Sequence, residues 1–442
     1  NGFKLPIATV ITCGTGSFSG TSISECFLRA GTVSNPKGAI GSIGTATSGT
    51  HTMFNNIVDM GFYYGVFADG MMSPAGALAR AKIHLFRTYP TNPNNYVSIF
   101  THWNSLMGDP AVRMWTAIPQ YMMVGFLPVV SKGTNYIDIQ VNHTNGTPVS
   151  NAYVTLYNGS VNFSESLFTD EDGKVTLPIN TTLTGEILVT AIKDNYIPYQ
   201  GSLQITVPAV SINLLSDQIV ITDDGTGSSS GNGDGLLNPG ETVELTIPFY
   251  NFGTDTSTDV YAKLVSESEY ISFVTDSVFI GSIPNSQSVI PVDKFVVQVN
   301  AGLVEGSNLD LRVEMFDVNS SMWRGYVGGL ISGTQLVVED VSVVDFGDGI
   351  LQPGETSELE VILKNSGSIL AGNVTAEITC PHPDIEIIDN AGTWGDMYSG
   401  QMSSNNSDQF TLYAGESIIP GTIVHLSISI TADNNVHFSQ LV

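Results

Sequence analysis

An internal repeat in the second half of the chain is the feature that most restricts its fold. Residues 234–242 (DGLLNPGET) match residues 348–356 (DGILQPGET) at an offset of 114 residues. The register continues through Glu244 and Glu358, Asn251 and Asn365, Gly253 and Gly367, Val260 and Val374, and Ala262 and Ala376. A unit of this size made of alternating strands is typical of a β-sandwich. We therefore predict two sandwich domains, at residues 208–335 and 336–442, and leave open whether the second copy is complete.

Length and charge restrict the remaining possibilities. A chain of 442 residues corresponds to about three or four domains. It contains 42 Asp and Glu against 15 Lys and Arg, a formal net charge of −27. Nucleic acid and anionic membranes are therefore excluded as partners, because no basic patch could neutralise phosphates, whereas calcium fits this charge. Only 13% of the residues are charged, which is typical of an extracellular β-rich protein.

The sequence has no apolar run long enough for a transmembrane helix. The nearest apolar run, residues 114–130, is interrupted by Pro119 and Pro128, so we predict no transmembrane helix. Residues 5–12 already have the pattern of a strand, without an initiator Met or a signal segment before them. We expect the chain to be a fragment whose beginning is missing.

Residues 1–119 combine helix and strand signals. The capping box Ser22–Glu25 predicts a short helix that ends at Gly31. Residues 38–44 are suited to a buried parallel strand, and helices are predicted over about 52–61 and 74–89. This strand–helix order is typical of a parallel sheet covered by helices. After Pro119 the pattern changes to strands and tight turns, and residues 120–207 are predicted to form a further sandwich.

Cys13 is the first candidate for chemistry. It follows a predicted buried strand and precedes a Gly-rich turn, and functional groups in open parallel sheets collect at the carboxyl ends of strands. The Cys13 and Gly14 amides could donate to an oxyanion, and the thiol would need a neighbouring base. On spacing alone, an inert buried cysteine is the simpler interpretation.

Four segments in order resemble the gingipain family of caspase-like cysteine peptidases. Residues 11–18 (ITCGTGSF) resemble its catalytic-cysteine segment, and residues 25–31, 36–44 and 104–110 (NSLMGDP) also agree. The resemblance covers about residues 5–119. It implies a truncated caspase-like α/β domain, a cysteine endopeptidase activity on proteins or peptides that requires no cofactor, and a bacterial protein that is secreted or at the cell surface.

The resemblance also implies roles for individual residues. Cys13 would be the nucleophile, and its base would be a histidine, usually followed by glycine, roughly thirty residues upstream. Only 12 residues precede Cys13 and none of them is His, so the dyad is incomplete in this chain. The loop after the second strand would border the substrate pocket, with the candidate residues Thr45, Ala46, Thr47 and His51.

Several of these residues have simpler interpretations. His51 could be a solvated loop histidine, and His102, beside Trp103, is predicted to pack. Cys26 is predicted to lie on the apolar side of the short helix, and Cys380 is predicted to be buried as well. No Cys/His cluster has the spacing of a zinc site.

Two β segments carry further motifs. Residues 146–156 and 169–175 resemble the transthyretin-like, carboxypeptidase-regulatory-like sandwich, which implies a structural or adhesive module. Residues 230–241 nearly match a calcium loop, with Ser230 in the first position and Asp234 and Glu241 as oxygen ligands. The second copy keeps Asp348 and Glu355 but has Val344 and Phe346 at the first and third positions. Both loops are either structural calcium sites or Pro-Gly turns with solvated acids.

Two functions remain open from the sequence. The first is a secreted cysteine endopeptidase whose catalytic domain precedes three all-β, immunoglobulin-like sandwiches. The second is a catalytically inactive cell-surface protein, structural or adhesive, built on the same domains. The missing upstream histidine separates them.

Overall fold

The computed structural model describes residues 5–345, 347–433 and 436–442, so Phe346 of the second acidic loop lies outside the described residues. The chain divides into two compact units. The first contains Asn1–Leu127, Asp138–Leu177 and Ile187–Ser202, and the second contains Pro128–Ile137, Pro178–Glu186 and Leu203–Val442. The domain boundaries predicted from the sequence stay predictions.

Residues 5–108 of the first unit form a small sheet with helices. Its elements are β1 (Ile7–Val10), α1 (Ile23–Arg29), β2 (Gly31–Thr32), β3 (Asn35–Pro36), β4 (Gly41–Thr45), α2 (Thr52–Phe67), α3 (Pro74–Thr88), a 3₁₀ turn (Pro93–Asn95), α4 (Tyr96–Trp103) and β5 (Asn104–Gly108). β1 runs parallel to the buried β4, as the sequence predicts. β5 pairs with β4 in the antiparallel direction, so the sheet is not purely parallel.

The helices follow the sequence signals in part. The Ser22 hydroxyl accepts the Glu25 N–H (3.3 Å), which confirms the capping box of α1. α2 begins at Thr52 but continues past Gly61 to Phe67, so the predicted end of this helix is wrong. The physical reason is packing: a Cβ at Gly61 would lie 2.8 Å from the Ala81 Cα on α3. Gly61 therefore allows two helices to approach closely and does not end one.

The core of this region is aromatic and aliphatic. Phe54 of α2 stacks on Phe100 of α4 with ring centroids 5.5 Å apart. The buried residues around them come from β4, α2, α3 and α4 and include Ile43, Val58, Phe62, Leu78, Leu85 and Val97. No helix in the described part of the chain is long and apolar enough to cross a membrane.

After Pro119 the described residues form strands joined by turns, as predicted. The strands up to residue 206 are β6 (Met122–Gly125), β7 (Val129–Ser131), β8 (Tyr136–His143), β9 (Tyr153–Asn158), β10 (Phe163–Phe168), β11 (Lys174–Pro178), β12 (Gly185–Ile192) and β13 (Tyr199–Thr206). In the first unit, β9 pairs with β10 and β12 and β6 pairs with β8, all antiparallel. In the second unit, β7 and β13 run parallel.

The repeat region lies in the second unit and has two separate cores. The first copy contains β14 (Ile212–Leu214), a 3₁₀ turn (Ser216–Gln218), β15 (Val220–Thr222), β16 (Thr242–Thr246), β17 (Phe249–Asn251), β18 (Val260–Val265), β19 (Ile271–Thr275), β20 (Ser277–Gly281), β21 (Ser288–Val289), β22 (Phe295–Val299), β23 (Asn308–Asp317) and β24 (Met322–Leu330). One sheet has the order β15–β16–β22–β19 and another β20–β18–β23–β24. Their facing apolar residues form one core.

The second copy has the same organisation. It contains β25 (Leu336–Val344), β26 (Thr356–Asn365), β27 (Ala371–Thr379), β28 (Ile385–Asp389), β29 (Ala391–Met397), β30 (Met402–Ser404), β31 (Phe410–Ala414), β32 (Ser427–Ala432) and β33 (Val436–Leu441). The sheets β25–β26–β31–β28 and β29–β27–β32–β33 surround a second core. In both copies alternate residues of the long strands are buried, which explains the period of two in the sequence.

A contact between two glycines joins the loop after β1 to the end of β4. Gly16 donates its N–H to the Thr45 carbonyl (3.0 Å). A Cβ at Gly16 would lie 2.5 Å from the backbone carbon of Gly44, closer than any side chain tolerates. The small residues of the turn are therefore required by this close approach.

We expect Gly16→Ala to loosen β4, because the new methyl group would force the two backbones apart. Overpacking against backbone should destabilise this region by about 2 kcal/mol. That loss corresponds to roughly 30-fold faster hydrogen exchange of the β4 amides, measured by mass spectrometry. Gly49→Ala is the control, because a Cβ there meets no atom within 4 Å. Equal exchange in the two variants would contradict the argument.

Candidate functional site

Cys13 lies in the turn that follows β1 and is exposed to solvent. The interpretation of Cys13 as an inert buried cysteine is therefore wrong. Its Sγ lies 2.9 Å from the hydroxyl oxygen of Thr50, which comes two residues before the start of α2. The structure thus pairs the thiol with a hydroxyl from the loop that follows β4.

Buried hydrogen bonds hold the turn that carries Cys13. The Thr15 hydroxyl donates to the Val10 and Thr12 carbonyls (2.7 Å each) and accepts the Thr45 N–H (3.2 Å). These bonds tie the turn to the ends of both parallel strands. They fix the backbone two residues after the sulfur-bearing residue.

A second anchor comes from α2. Asn55, which is fully buried, donates its side-chain N–H to the Ile11 carbonyl (3.0 Å). Its own side-chain oxygen accepts from the buried Asn104 (3.3 Å). Sequence reasoning missed Thr50 and Asn55. A polar Asn55 beside Phe54 on the apolar face of a helix was the available signal, because a buried amide needs partners.

Hydrogen bonds from Thr50 change the acidity of the Cys13 thiol. The Thr50 hydroxyl lowers the pKa of Cys13, and the Thr50 backbone N–H lowers it further. Donors of this kind stabilise the thiolate, which is the nucleophilic form of cysteine. These donors therefore stabilise the thiolate, although no described histidine is bonded to the sulfur.

The two amides proposed as oxyanion donors are in different situations. The Gly14 N–H donates to the Thr47 carbonyl (2.6 Å), with Gly14 at φ +65°. Gly14 can donate to an oxyanion only if this bond opens. In the described part of the chain, the Cys13 N–H makes no hydrogen bond to another residue, and it contributes to lowering the pKa of the Cys13 thiol itself.

The four pocket residues do not share one environment. Thr45 is fully buried in β4, and Ala46 and Thr47 are half-buried. His51 is exposed, and its ring lies 5.2 Å from that of Phe54, so it packs against an aromatic side chain. Their assignment to a substrate pocket stays a prediction.

Neither nearby histidine is bonded to the sulfur. The described contacts of His51 are with the Phe54 and Tyr96 rings. His102 places its Nδ1 2.7 Å from the Ser98 carbonyl oxygen. Within the described part of the chain, Thr50 is therefore the side chain that contacts the Cys13 thiol.

The other two cysteines differ from the predictions. Cys26 is exposed, so its predicted burial on α1 is wrong. The helix turns Ser24 inward instead, and the Ser42 hydroxyl donates to Ser24 (3.0 Å), because only a small side chain fits beside Gly44. Cys380 is half-buried at the edge of the second repeat core.

The acidic loops of the two repeat copies are aligned by strand register. Thr222 pairs with Glu244, and Val344 pairs with Glu358. Since Glu244 and Glu358 are equivalent positions, the following residues Asp223 and Asp345 are equivalent too. The first loop is therefore eight residues longer between this aspartate and the Asp-Gly of the repeat.

The two aspartates have the same role in their loops. The Asp223 carboxylate accepts the N–H groups of Gly233, Asp234 and Gly235 (2.9–3.1 Å). Asp345 accepts those of Gly347 (2.8 Å) and Gly349 (3.1 Å). The sequence comparison missed the equivalence of Asp223 and Asp345. It used a constant offset of 114 residues, which aligns Asp345 with Gly231 instead of with Asp223.

The four predicted calcium ligands have partners of their own. Asp234 accepts the Leu236 N–H (2.8 Å) and Asp348 the Ile350 N–H (3.1 Å), as expected of turns closed by an acid. Glu355 accepts the Gln352 N–H (2.8 Å). Within the described ranges, no three His, Cys, Asp or Glu side chains are arranged to hold a metal ion.

Glu241 is the exception. Its Oε1 accepts the Asn232 N–H (2.9 Å), whereas its buried Oε2 has no hydrogen-bond partner among the described residues. Burial raises the pKa of Glu241, and the neighbouring Asp223 and Asp234 raise it further. Calcium binding by these loops stays a prediction.

Comparison with known proteins identifies the N-terminal part of the chain. Residues 1–115 match the family model described as peptidase family C25. The N-terminal segment is therefore similar to peptidases of family C25. We call residues 1–115 the peptidase segment; its gingipain resemblance is confirmed. No curated protein matches the chain.

Some solved structures are distantly similar. One is the Arg specific cysteine proteinase gingipain R, at 15% identity, covering 46% of each chain with a TM-score of 0.38. Another is the complex of Porphyromonas gingivalis RgpB pro- and mature domains, at 14% identity, covering 46% of this chain and 47% of that one, TM-score 0.38. Escherichia coli alpha-2-macroglobulin activated by porcine elastase covers 77% of this chain and 33% of that one, at 12% identity and TM-score 0.20.

The chain spans about half the length of the gingipain structures it matches. TM-scores below 0.5 do not establish a shared fold. The assignment of the peptidase segment therefore rests on the family model and on the four motifs in its sequence.

We expect Thr50→Val to raise the pKa of Cys13, because valine keeps the shape of threonine and removes the hydroxyl donor. The measurement is the rate of Cys13 alkylation by iodoacetamide as a function of pH, followed by peptide mass spectrometry. The midpoint should move to higher pH, with slower alkylation at neutral pH. Thr50→Ser, which keeps a hydroxyl, is the matched control, and Cys26 is an exposed reference thiol in the same molecules. An unchanged midpoint in Thr50→Val would contradict this role.

Proposed function

We propose that this chain is part of a secreted, gingipain-type cysteine endopeptidase with Cys13 as its nucleophile. The observation that carries the proposal is the exposed Cys13 thiol, whose pKa is lowered, within the peptidase segment. It lies just after the carboxyl end of β1, next to the neighbouring parallel strand β4. This is the position in which a thiolate can meet a bound peptide carbonyl.

The proposed reaction is acyl transfer through a thioester. The Cys13 thiolate attacks the peptide carbonyl carbon, and the oxygen takes up the negative charge beside the Cys13 N–H. A histidine from outside this chain gives a proton to the leaving amine, and the C–N bond breaks. Water then attacks the thioester, with histidine as base, and the sulfur leaves as the thiolate.

The β domains after residue 119 would carry the catalytic domain at its site of action. We propose that they position the enzyme or attach it to the cell surface. Their acidic sequence, in which strand patterns predominate, supports an extracellular location. No catalytic step needs them.

A second candidate is supported by a specific observation. The sulfur is paired with the Thr50 hydroxyl, and neither His51 nor His102 contacts it. If no histidine reaches Cys13 in the whole protein, the same domains would form a catalytically inactive structural or adhesive protein.

The test compares Cys13→Ala with Cys26→Ala in the full-length protein. We expect Cys13→Ala to lower the rate of protein cleavage by at least about 10³-fold, because the thioester cannot form. It should also abolish labelling by a peptide-based thiol probe. Cys26→Ala removes an equally exposed thiol and should change neither.

Equal cleavage by the two variants would show that Cys13 is not the nucleophile. If neither variant nor the unmodified protein cleaves any substrate or takes up the probe, the inactive structural protein is the better description.

A further inference from the structure

Glu241 is a buried carboxylate with an unused oxygen. Its side chain is 8% exposed, and its Oε2 is shielded from solvent without a hydrogen-bond partner among the described residues. The Asn232 N–H holds Oε1, which fixes the direction of the carboxylate. A buried polar atom in this state requires an explanation, because its desolvation is uncompensated.

No cationic side chain among the described residues balances the charge around Glu241. Asp223, which is 2% exposed, and Asp234 belong to the same loop. Across the described residues, no Lys, Arg or His lies within ion-pair distance of these three carboxylates; the nearby Lys294 pairs with Glu244 instead (2.7 Å). Buried carboxylates are normally paired with a cation or bound to a metal ion.

Two oxygen atoms lie close to Gly231. A Cβ at this position would lie 2.7 Å from Oε1 and Cδ of Glu241 and 2.8 Å from the main-chain oxygen of Asp223. A carboxylate and a carbonyl oxygen therefore approach the same point, and a side chain at residue 231 would obstruct it.

We propose that the acidic loop of the first repeat copy binds one calcium ion, with the carboxylate of Glu241 and the main-chain carbonyl of Asp223 as ligands. The oxygen donors and the absence of His and Cys from residues 223–241 favour a hard cation. Calcium accepts carbonyl oxygens and water in an irregular shell, so further side-chain carboxylates are not required. The Asp223 carboxylate closes the loop, since three backbone N–H groups occupy it.

The second repeat copy lacks these features. Its loop is eight residues shorter, so it has no counterpart of the segment that brings Gly231 to Glu241. Glu355 is half-buried, and its Oε2 accepts the Gln352 N–H (2.8 Å). We therefore expect one calcium ion per chain, although the sequence repeat predicts two equivalent loops.

The experiment is isothermal titration of calcium chloride into the chelator-treated 442-residue chain. The unmodified chain should bind one ion. Glu241→Gln keeps the size and removes the charge, and it should weaken binding at least tenfold. Glu355→Gln, the equivalent change in the second copy, should leave stoichiometry and affinity unchanged.

A second variant keeps the test decisive if Glu241→Gln does not fold. Gly231→Ala alters no charged group, and its methyl group should weaken calcium binding by displacing the Glu241 carboxylate and the Asp223 carbonyl oxygen. The proposal is overturned if the unmodified chain takes up no calcium, or if binding survives Glu241→Gln but is lost in Glu355→Gln. Its outcome does not depend on peptidase activity, so it can fail or hold independently of the proposed function.

Discussion

The position of the Cys13 thiol depends on the close approach of two backbone segments. Among the described residues, Cys13 is the only cysteine whose sulfur is hydrogen-bonded to a hydroxyl group. Gly16 lies against Gly44, and its N–H closes onto the Thr45 carbonyl. This contact brings the turn after β1 against the end of β4, so that Cys13 and Thr50 meet across the two strand ends. The Thr15–Thr45 and Gly14–Thr47 hydrogen bonds add to this contact, and together they fix the two loops so that the thiol meets its hydroxyl partner.

Local signals were sufficient where one interaction decides the structure. The Ser22 cap fixes the start of α1, and alternating burial fixes the strands of the repeats. Local sequence signals gave the wrong structure where one residue type is compatible with two structural roles. Gly61 could end a helix or admit a neighbour, and only the position of Ala81 on α3 decides between them. The exposure of Cys26 likewise depends on Ser24 being the residue small enough to face Gly44.

In the candidate site, too, some features follow from local sequence and others only from tertiary structure. The motif around Cys13 marks the proposed nucleophile by resemblance, yet its hydroxyl partner lies 37 residues further along the chain, in a loop with no motif of its own. Thr50 is paired with the sulfur by tertiary structure alone. Asn55 could be suspected from its place on an apolar helix face, but its partners, the Ile11 carbonyl and Asn104, are marked by no sequence pattern.

The repeat shows how an insertion can change one copy of a duplicated fold. Asp223 and Asp345 close the two loops in the same way, so the eight extra residues of the first loop are not needed to complete the turn. What they change is the surroundings of the following glutamate. Each glutamate accepts one backbone N–H, but Glu241 is enclosed by the longer loop with its Oε2 unbonded, whereas Glu355 keeps access to solvent. Enclosing a carboxylate without a partner is unfavourable by itself, which is why the longer loop is better explained by a bound cation than by the turn it shares with its shorter copy.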